Sequence, residues 1–169
     1  MIHLYYGNGK GKTTAACGLA LRAAGNGLRV LVVQFFKAGG SGEMQTLKTL
    51  QNVDTIAPAL HYGRYKTLDT AQKAEISAQY RSMLDDVVQR AEAYDLIVLD
   101  EAVSVYRYEM LDRQMFLSFL QRERENREIV LTGRDPAPEL SALADYATEM
   151  KKIRHPYDHG TAARKGIEY

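Results

Sequence analysis

Residues 7–14 read Gly-Asn-Gly-Lys-Gly-Lys-Thr-Thr. Glycine backbone turns tightly and approaches an anion with no Cβ in the way. The amides of Asn8 through Thr13 can then point inward as an anion nest. Lys12 suits the outer phosphates of a nucleotide, and the Thr13 hydroxyl suits a Mg²⁺ ion bound to them. Gly7, Asn8, Gly9, Lys10, Gly11 and Thr14 complete the expected cradle. The usual pattern is G-x-x-x-x-G-K-[ST], and Tyr6 stands where its first Gly belongs. A second piece of the same chemistry is the acidic pair Asp100-Glu101, either of which suits Mg²⁺ or its water shell.

These residues need particular elements to position them. The loop follows a strand-like run at 2–6 and precedes a helix-compatible run at 14–22. A helix beginning near Lys12 adds free N–H groups and the positive end of its dipole. Strand, glycine-rich turn, Lys-Thr and helix together weigh against a merely glycine-rich turn with incidental lysines. The acidic pair closes the apolar run 94–101, and in a parallel sheet ligands collect at the carboxyl ends of strands. Further strand-like runs lie at 28–36, 53–57 and 129–132, and a mixed run at 146–153 reads as a sheet-edge strand.

Helical patterns separate the strands. Ile76, Tyr80, Met83, Leu84, Val87, Val88 and Ala91 form one apolar face. Asp112 suits the N-cap of a helix carrying Met115, Phe116, Phe119 and Leu120 inward, and Pro136 and Pro138 suit the start of another. Alternating strands and helices predict an α/β fold, a mainly parallel sheet with helices on both faces. Residues 58–68 are the least regular stretch, and Gly39-Gly40-Ser41-Gly42 reads as a flexible loop or lid.

Composition bounds the rest. At 169 residues one domain over 1–169 is expected, with a polar C-terminal tail from about 154. Lys and Arg number 22 against 21 Asp and Glu, a net charge of +1, which argues against a dedicated nucleic-acid or membrane-surface binder. Cys17 is the only cysteine and reads as a small buried hydrophobe. The chain opens on a strand with no signal-peptide pattern, and no apolar run approaches the ~20 residues that span a bilayer, so cytoplasm is the expected compartment.

With these pieces placed, the chain resembles the P-loop type of ATP:corrinoid adenosyltransferase. The likeness rests on the loop at 7–14 with Tyr6 ahead of it, Arg22, Val33-Gln34-Phe35-Phe36-Lys37, Val98-Leu99-Asp100-Glu101 and Leu131-Thr132-Gly133-Arg134. Most family-specific is the tail, with Arg154-His155-Pro156-Tyr157-Asp158-His159-Gly160 and Ala163-Arg164-Lys165-Gly166-Ile167-Glu168-Tyr169. The resemblance implies a RecA-like P-loop fold and transfer of the 5′-deoxyadenosyl group of ATP to Co(I) of a reduced corrinoid, releasing triphosphate. It implies ATP held reversed relative to ordinary P-loop enzymes. It further implies Mg²⁺, a reductase supplying electrons to cobalt, and a homodimer.

Such a reaction needs no proton transfer at carbon. It needs a fixed positive field around the leaving triphosphate, a metal ion and in-line positioning. Lys12, Thr13 and Glu101 are the expected catalytic residues, with Thr13, Asp100 and Glu101 toward the metal. Arg22 and Arg134 are expected on phosphate oxygens. Where some family members carry a Phe-Thr-Trp or Phe-Thr-Phe stretch against the corrinoid, this chain reads Leu60-His61-Tyr62-Gly63-Arg64-Tyr65. Tyr62 or Tyr65 is the candidate apolar wedge, and His61 reads as a loop histidine before a cobalt ligand. Tyr106 and Tyr108 read as core edge before corrinoid wall, His155 and Asp158 as either a turn or an ordered cover, and Lys151-Lys152 as a solvated sheet edge. Two rival functions stay open at this stage: an ordinary P-loop ATPase or phosphotransferase, and a non-catalytic ATP-binding partner of a corrinoid protein.

Overall fold

Six short apolar runs become six strands: β1 (Ile2–Tyr6), β2 (Val30–Gln34), β3 (Val53–Ile56), β4 (Leu96–Asp100), β5 (Glu128–Gly133) and β6 (Tyr146–Glu149). In this computed structural model, which describes residues 1–37, 41–60, 62, 63 and 65–168, every strand pairing is parallel and the order is β3-β2-β4-β5-β1-β6. Every residue of β2 and of β4 is buried, as central parallel strands covered on both faces require. β6 is the exposed edge strand expected from its mixed composition.

Alternation along each strand divides the core in two. Leu31, Val33, Ile97, Leu99, Ile129 and Leu131 face one layer, with Ile2 and Leu4. Val30, Val32, Leu96, Val98 and Val130 face the other. The first layer is closed by α3 (Thr70–Arg90), α4 (Ala102–Arg107), α5 (Arg113–Glu123) and α6 (Pro138–Leu143). The second is closed by α1 (Lys12–Gly25) and α2 (Gly42–Leu47), whose Ala16, Cys17, Ala20 and Met44 pack on the sheet. Burial pushes the Cys17 thiol up to about 12, as suits a small hydrophobe.

Local chemistry sets the helix starts. Asp69 caps α3 in a reciprocal capping box with Gln72, and Ile76, Tyr80, Met83, Leu84 and Val87 form its buried face. The Asp112 side chain accepts from the Met115 amide, as its N-cap position predicts. Pro138 occupies the first turn of α6. Three differences from the sequence reading stand out. β6 stops at Glu149 because Met150 turns its carbonyl to the loop after β1. Ser41 and Gly42 begin α2, with Ser41 buried as its N-cap, whereas Gly39 and Gly40 lie outside the described residues. The short helix α4, directly after the acidic pair, had no signal beyond a few apolar residues. Among the described residues no helix is long and apolar enough to cross a membrane.

The carboxyl ends of β1, β2, β4 and β5 all open on one edge of the sheet. Chain direction splits there, since β1 feeds α1 and then β2 on the far side of β4 and β5. That crevice is where open α/β sheets hold ligands. A 660 Å³ cleft at the opposite edge is lined by Met1, Asp95, Asp145 and residues 124–128, a mixed-charge set without a phosphate loop.

Candidate functional site

The loop after β1 is pressed between α1 and the end of β6. The Met150 amide donates to the Tyr6 carbonyl at 2.7 Å, and the Met150 carbonyl accepts from the Gly9 amide at 2.6 Å. A Cβ on Gly7 or Gly9 would lie 2.6 Å from that carbonyl oxygen, so both positions must be glycine. Gly11 ends the loop in a left-handed turn (φ 115°) and caps α1. The Asn8 side chain accepts from the Lys152 amide at 2.8 Å, fastening the loop from the other side.

Lys12, the first residue of α1, is 9% exposed, and its ammonium donates to the Gly9 carbonyl at 2.7 Å. Burial holds its pKa below the ordinary value. Glu101 and Asp100 pull it back up, while Arg134 pushes it down with burial. All three groups therefore act on Lys12, as one site requires. Together with the loop they bound a 280 Å³ cavity lined by residues 8–14, Lys37, Glu43, Glu101, Arg134, His155, Ala163, Ile167 and Glu168.

Asp100, 1% exposed, accepts three hydrogen bonds. Its Oδ1 accepts from Thr13 at 2.9 Å and from Thr132 at 2.6 Å, and its Oδ2 accepts from Gln34 at 3.1 Å. The Thr132 hydroxyl also accepts the Glu101 amide at 2.9 Å. Thr13 spends its proton on Asp100, so its oxygen lone pairs remain for a cation. Glu101, which lines the cavity, accepts from Ser104 through one carboxylate oxygen. This donor set fits Mg²⁺, which takes hard oxygen ligands and keeps several waters and phosphates rather than an all-protein cage.

The structure gathers Gly9, Lys10, Gly11, Lys12, Thr13, Thr14, Asn8, Glu101 and Arg134 around the cavity, with Gly7 at the loop's base and Asp100 behind Thr13. It does not bring Arg22 there. Ten residues along α1 put the Arg22 backbone about 15 Å along the helix axis from that of Lys12. Arg22 lines a separate apolar cleft with His3, Leu19, Leu28 and Tyr146. Sequence reasoning assigned no site role to Gln34, Lys37, Glu43, Thr132 or Ser104. The available signal was polar residues at the ends of otherwise apolar strands, as with Gln34 after Val33 and Thr132 after Leu131.

The tail covers the cavity. Lys152 binds Asp158 at 2.8 Å while its amide holds Asn8, so Lys152 joins loop to tail and is more than a solvated sheet edge. The His155 imidazole accepts the Tyr157 amide in the turn that Pro156 opens, as the turn reading expects, and His155 also lines the cavity. Arg164 holds Glu168 at 3.0 Å, and Lys10 lies 4.0 Å from the same carboxylate.

Beside the cavity stands an aromatic group. Phe36 lies two residues past the end of β2 at Gln34, at φ 59°, with its amide donating to the Tyr80 hydroxyl at 2.9 Å. Its ring meets Tyr65 at 6.4 Å and Tyr108 at 6.3 Å, and Tyr65 lies 4.6 Å from Tyr108. Tyr108 lines a second, 270 Å³ cavity with Ser104, Arg107, Arg134 and Asp135, and Arg134 is shared with the phosphate cavity. Tyr106 is core: buried, with its hydroxyl donating to Glu139 at 2.7 Å. Tyr62 donates to Glu75 at 2.5 Å, while His61 and Arg64 lie outside the described residues.

Comparison with known proteins agrees with this geometry. The sequence matches the family model for ATP:corrinoid adenosyltransferase BtuR/CobO/CobP over residues 1–169. It is 31% identical to a corrinoid adenosyltransferase of Escherichia coli K12 over 172 residues, covering 100% of this chain and 85% of the relative. It is 32% identical to corrinoid adenosyltransferase CobA of Salmonella typhimurium, with the same coverage. A corrinoid adenosyltransferase of Pseudomonas aeruginosa is 31% identical, with 83% of its length covered. A six-stranded parallel sheet of the RecA-like P-loop type, a glycine loop shaped by β6 and a match along the whole chain lead to one assignment: this protein belongs to the ATP:corrinoid adenosyltransferase family.

Proposed function

We propose that the chain, acting as one domain over 1–169, moves the 5′-deoxyadenosyl group of ATP onto the cobalt of a reduced corrinoid. The observation that carries this is adjacency: a cation-lined phosphate cavity shares Arg134 with a second cavity walled by Tyr108 of the aromatic group. The Co(I) electron pair forms a bond to C5′ of the ribose. The C5′–O bond breaks, and its electrons leave with triphosphate. Negative charge grows on the leaving group, so the rate comes from donors already in place.

Lys12, Lys10, Arg134 and the loop amides of Gly7, Asn8, Gly11 and Thr14 take the polyphosphate, whereas the Gly9 amide is already spent on the Met150 carbonyl and Gly9 serves by shaping the loop. Lys37 adds a further cation at the same rim. Thr13 and Glu101 would hold Mg²⁺, and Asp100 acts by fixing Thr13. The metal, when bound, neutralises charge on the departing phosphates. Phe36, Tyr65 and Tyr108 offer an apolar wall to the flat face of a corrin ring, in place of a Phe-Thr-Trp stretch. Arg22 has no part in phosphate binding within one chain. A separate reductase supplies the cobalt electrons, and a homodimer and a cytoplasmic setting complete the proposal.

The test is the product. Reduced corrinoid, ATP and Mg²⁺ are mixed anaerobically, and the cobalt–carbon bond is followed by its visible spectrum beside phosphate analysis. Adenosylcorrinoid and free triphosphate in equal amounts are expected; ADP and phosphate instead would refute the assignment.

A further inference from the structure

We propose that Ser104 is a positioning residue for the transfer, holding the Glu101 carboxylate toward the phosphate cavity. This rests on the reading that Glu101 serves that cavity. Glu101 stands between β4 and α4 with φ 64°, a left-handed conformation that ordinary side chains rarely adopt. Its backbone is pinned at both ends, the amide by the Thr132 hydroxyl and the carbonyl by the Ser104 and Val105 amides. Pinned backbone does not fix a side chain with three rotatable bonds.

The Ser104 hydroxyl does that, donating to Glu101 Oε2 at 2.6 Å. Among the described residues no other hydrogen bond reaches this carboxylate. One oxygen is thereby engaged and the other stays available to the cavity that Glu101 lines. A bond from hydroxyl to carboxylate is charge-assisted and short, so it is among the stronger ones a serine can make.

Helix capping does not account for Ser104. It is the third residue of α4, where a capping box would have its side chain accept the amide of the cap residue. The Glu101 amide goes to Thr132 instead, and α4 has no side-chain cap. Room for the hydroxyl comes from β5. A Cβ on Gly133 would fall 2.6 Å from the Val103 Cβ and 3.1 Å from Ser104 Oγ. Ser104 also lines the cavity with Tyr108 and Arg134, so it stands between the two proposed substrates.

Three variants test the proposal: Ser104→Ala, Glu101→Ala and the double. Turnover is measured with reduced corrinoid, and ATP binding by calorimetry with and without Mg²⁺. Ser104→Ala should keep the native melting temperature, lose roughly 10-fold in kcat/KM for ATP, and weaken binding only in the presence of Mg²⁺. In the Glu101→Ala background it should cost nothing further, because coupled residues are non-additive. Equal losses in both backgrounds, or native behaviour of Ser104→Ala beside an impaired Glu101→Ala, would overturn the role of Ser104 alone. Full activity of Glu101→Ala would overturn the reading of Glu101 and this proposal with it.

Discussion

Gly9→Ala probes the cradle through its most crowded contact. The added methyl would sit 2.6 Å from the Met150 carbonyl oxygen, 2.9 Å from its carbon and 3.0 Å from the Lys151 carbonyl carbon. All three atoms are backbone, held by the Met150–Tyr6 bond, so no side chain can swing aside. Ordinary contact begins at 3.4 Å, so loop and strand end must separate by about 0.8 Å. That shift strains the 2.6 Å Gly9–Met150 bond and moves the carbonyl that anchors Lys12. Overpacking of this kind costs about 1–3 kcal/mol, and in a domain this size each kcal/mol lowers Tm by roughly 2–4 °C. Displacing a phosphate-binding group by about 1 Å costs on the order of 100-fold in rate. The assay pairs thermal denaturation with kcat/KM for ATP, with Gly18→Ala as the contrast. Gly18 lies inside α1 with nothing within 4 Å of the added Cβ, so that variant should gain about 0.5–1 kcal/mol and keep its kinetics. Native stability together with native kcat/KM in Gly9→Ala would refute the claim that β6 shapes the loop.

Lys12→Ala should lower kcat/KM for ATP by about 10²–10³. Because the ammonium is buried on Gly9, it should also cost about 1 kcal/mol of stability, read by urea denaturation. Tyr65→Ala removes one side of the 4.6 Å pair with Tyr108, and its effect should appear as a roughly 10-fold higher KM for corrinoid with KM for ATP unchanged in steady-state kinetics. The Arg164 hydrogen bond and ion pair hold the Glu168 carboxyl down at about 2, against an ordinary 4.5. A depressed carboxylate contributes fully above pH 4.5 and loses its contribution as pH falls through about 2, so NMR titration should show the Arg164–Glu168 pair within the tail intact at pH 4 and broken only near 2. Arg164→Ala should bring the Glu168 midpoint back toward its ordinary value.

The sheet was legible because its strands advertise themselves. Central parallel strands are apolar on both faces, so β2 and β4 appear as unbroken runs whose residues are all buried. Asp112 and Pro138 marked helix starts through backbone chemistry that acts within a few residues. α2 and α4 were missed because six residues give too little periodicity to register. Arg22 lies outside the cavity for a geometric reason. Resemblance proposed it as a phosphate ligand, but a straight helix carries it away from Lys12 at about 1.5 Å per residue.

The loop's glycines could be seen in the sequence, though not the reason for their spacing. Tyr6 can stand where the common pattern has its first glycine because position 6 still belongs to β1, paired with Gly133 and Glu149, and its carbonyl accepts the Met150 amide. The steric demand falls one and three residues later, at Gly7 and Gly9, where the end of β6 presses on the loop. Residue 150 is 141 positions from Gly9, so no local pattern announces it. The same distance hides the wiring of Asp100, whose three donors come from α1, β2 and β5. With three donors already on its two oxygens, Asp100 acts on the site through Thr13 in the reading proposed above. An apolar run ending in Asp-Glu thus holds two acids with different tasks: the first is buried and orients the loop's hydroxyl, while the second is turned by a left-handed backbone toward the cavity.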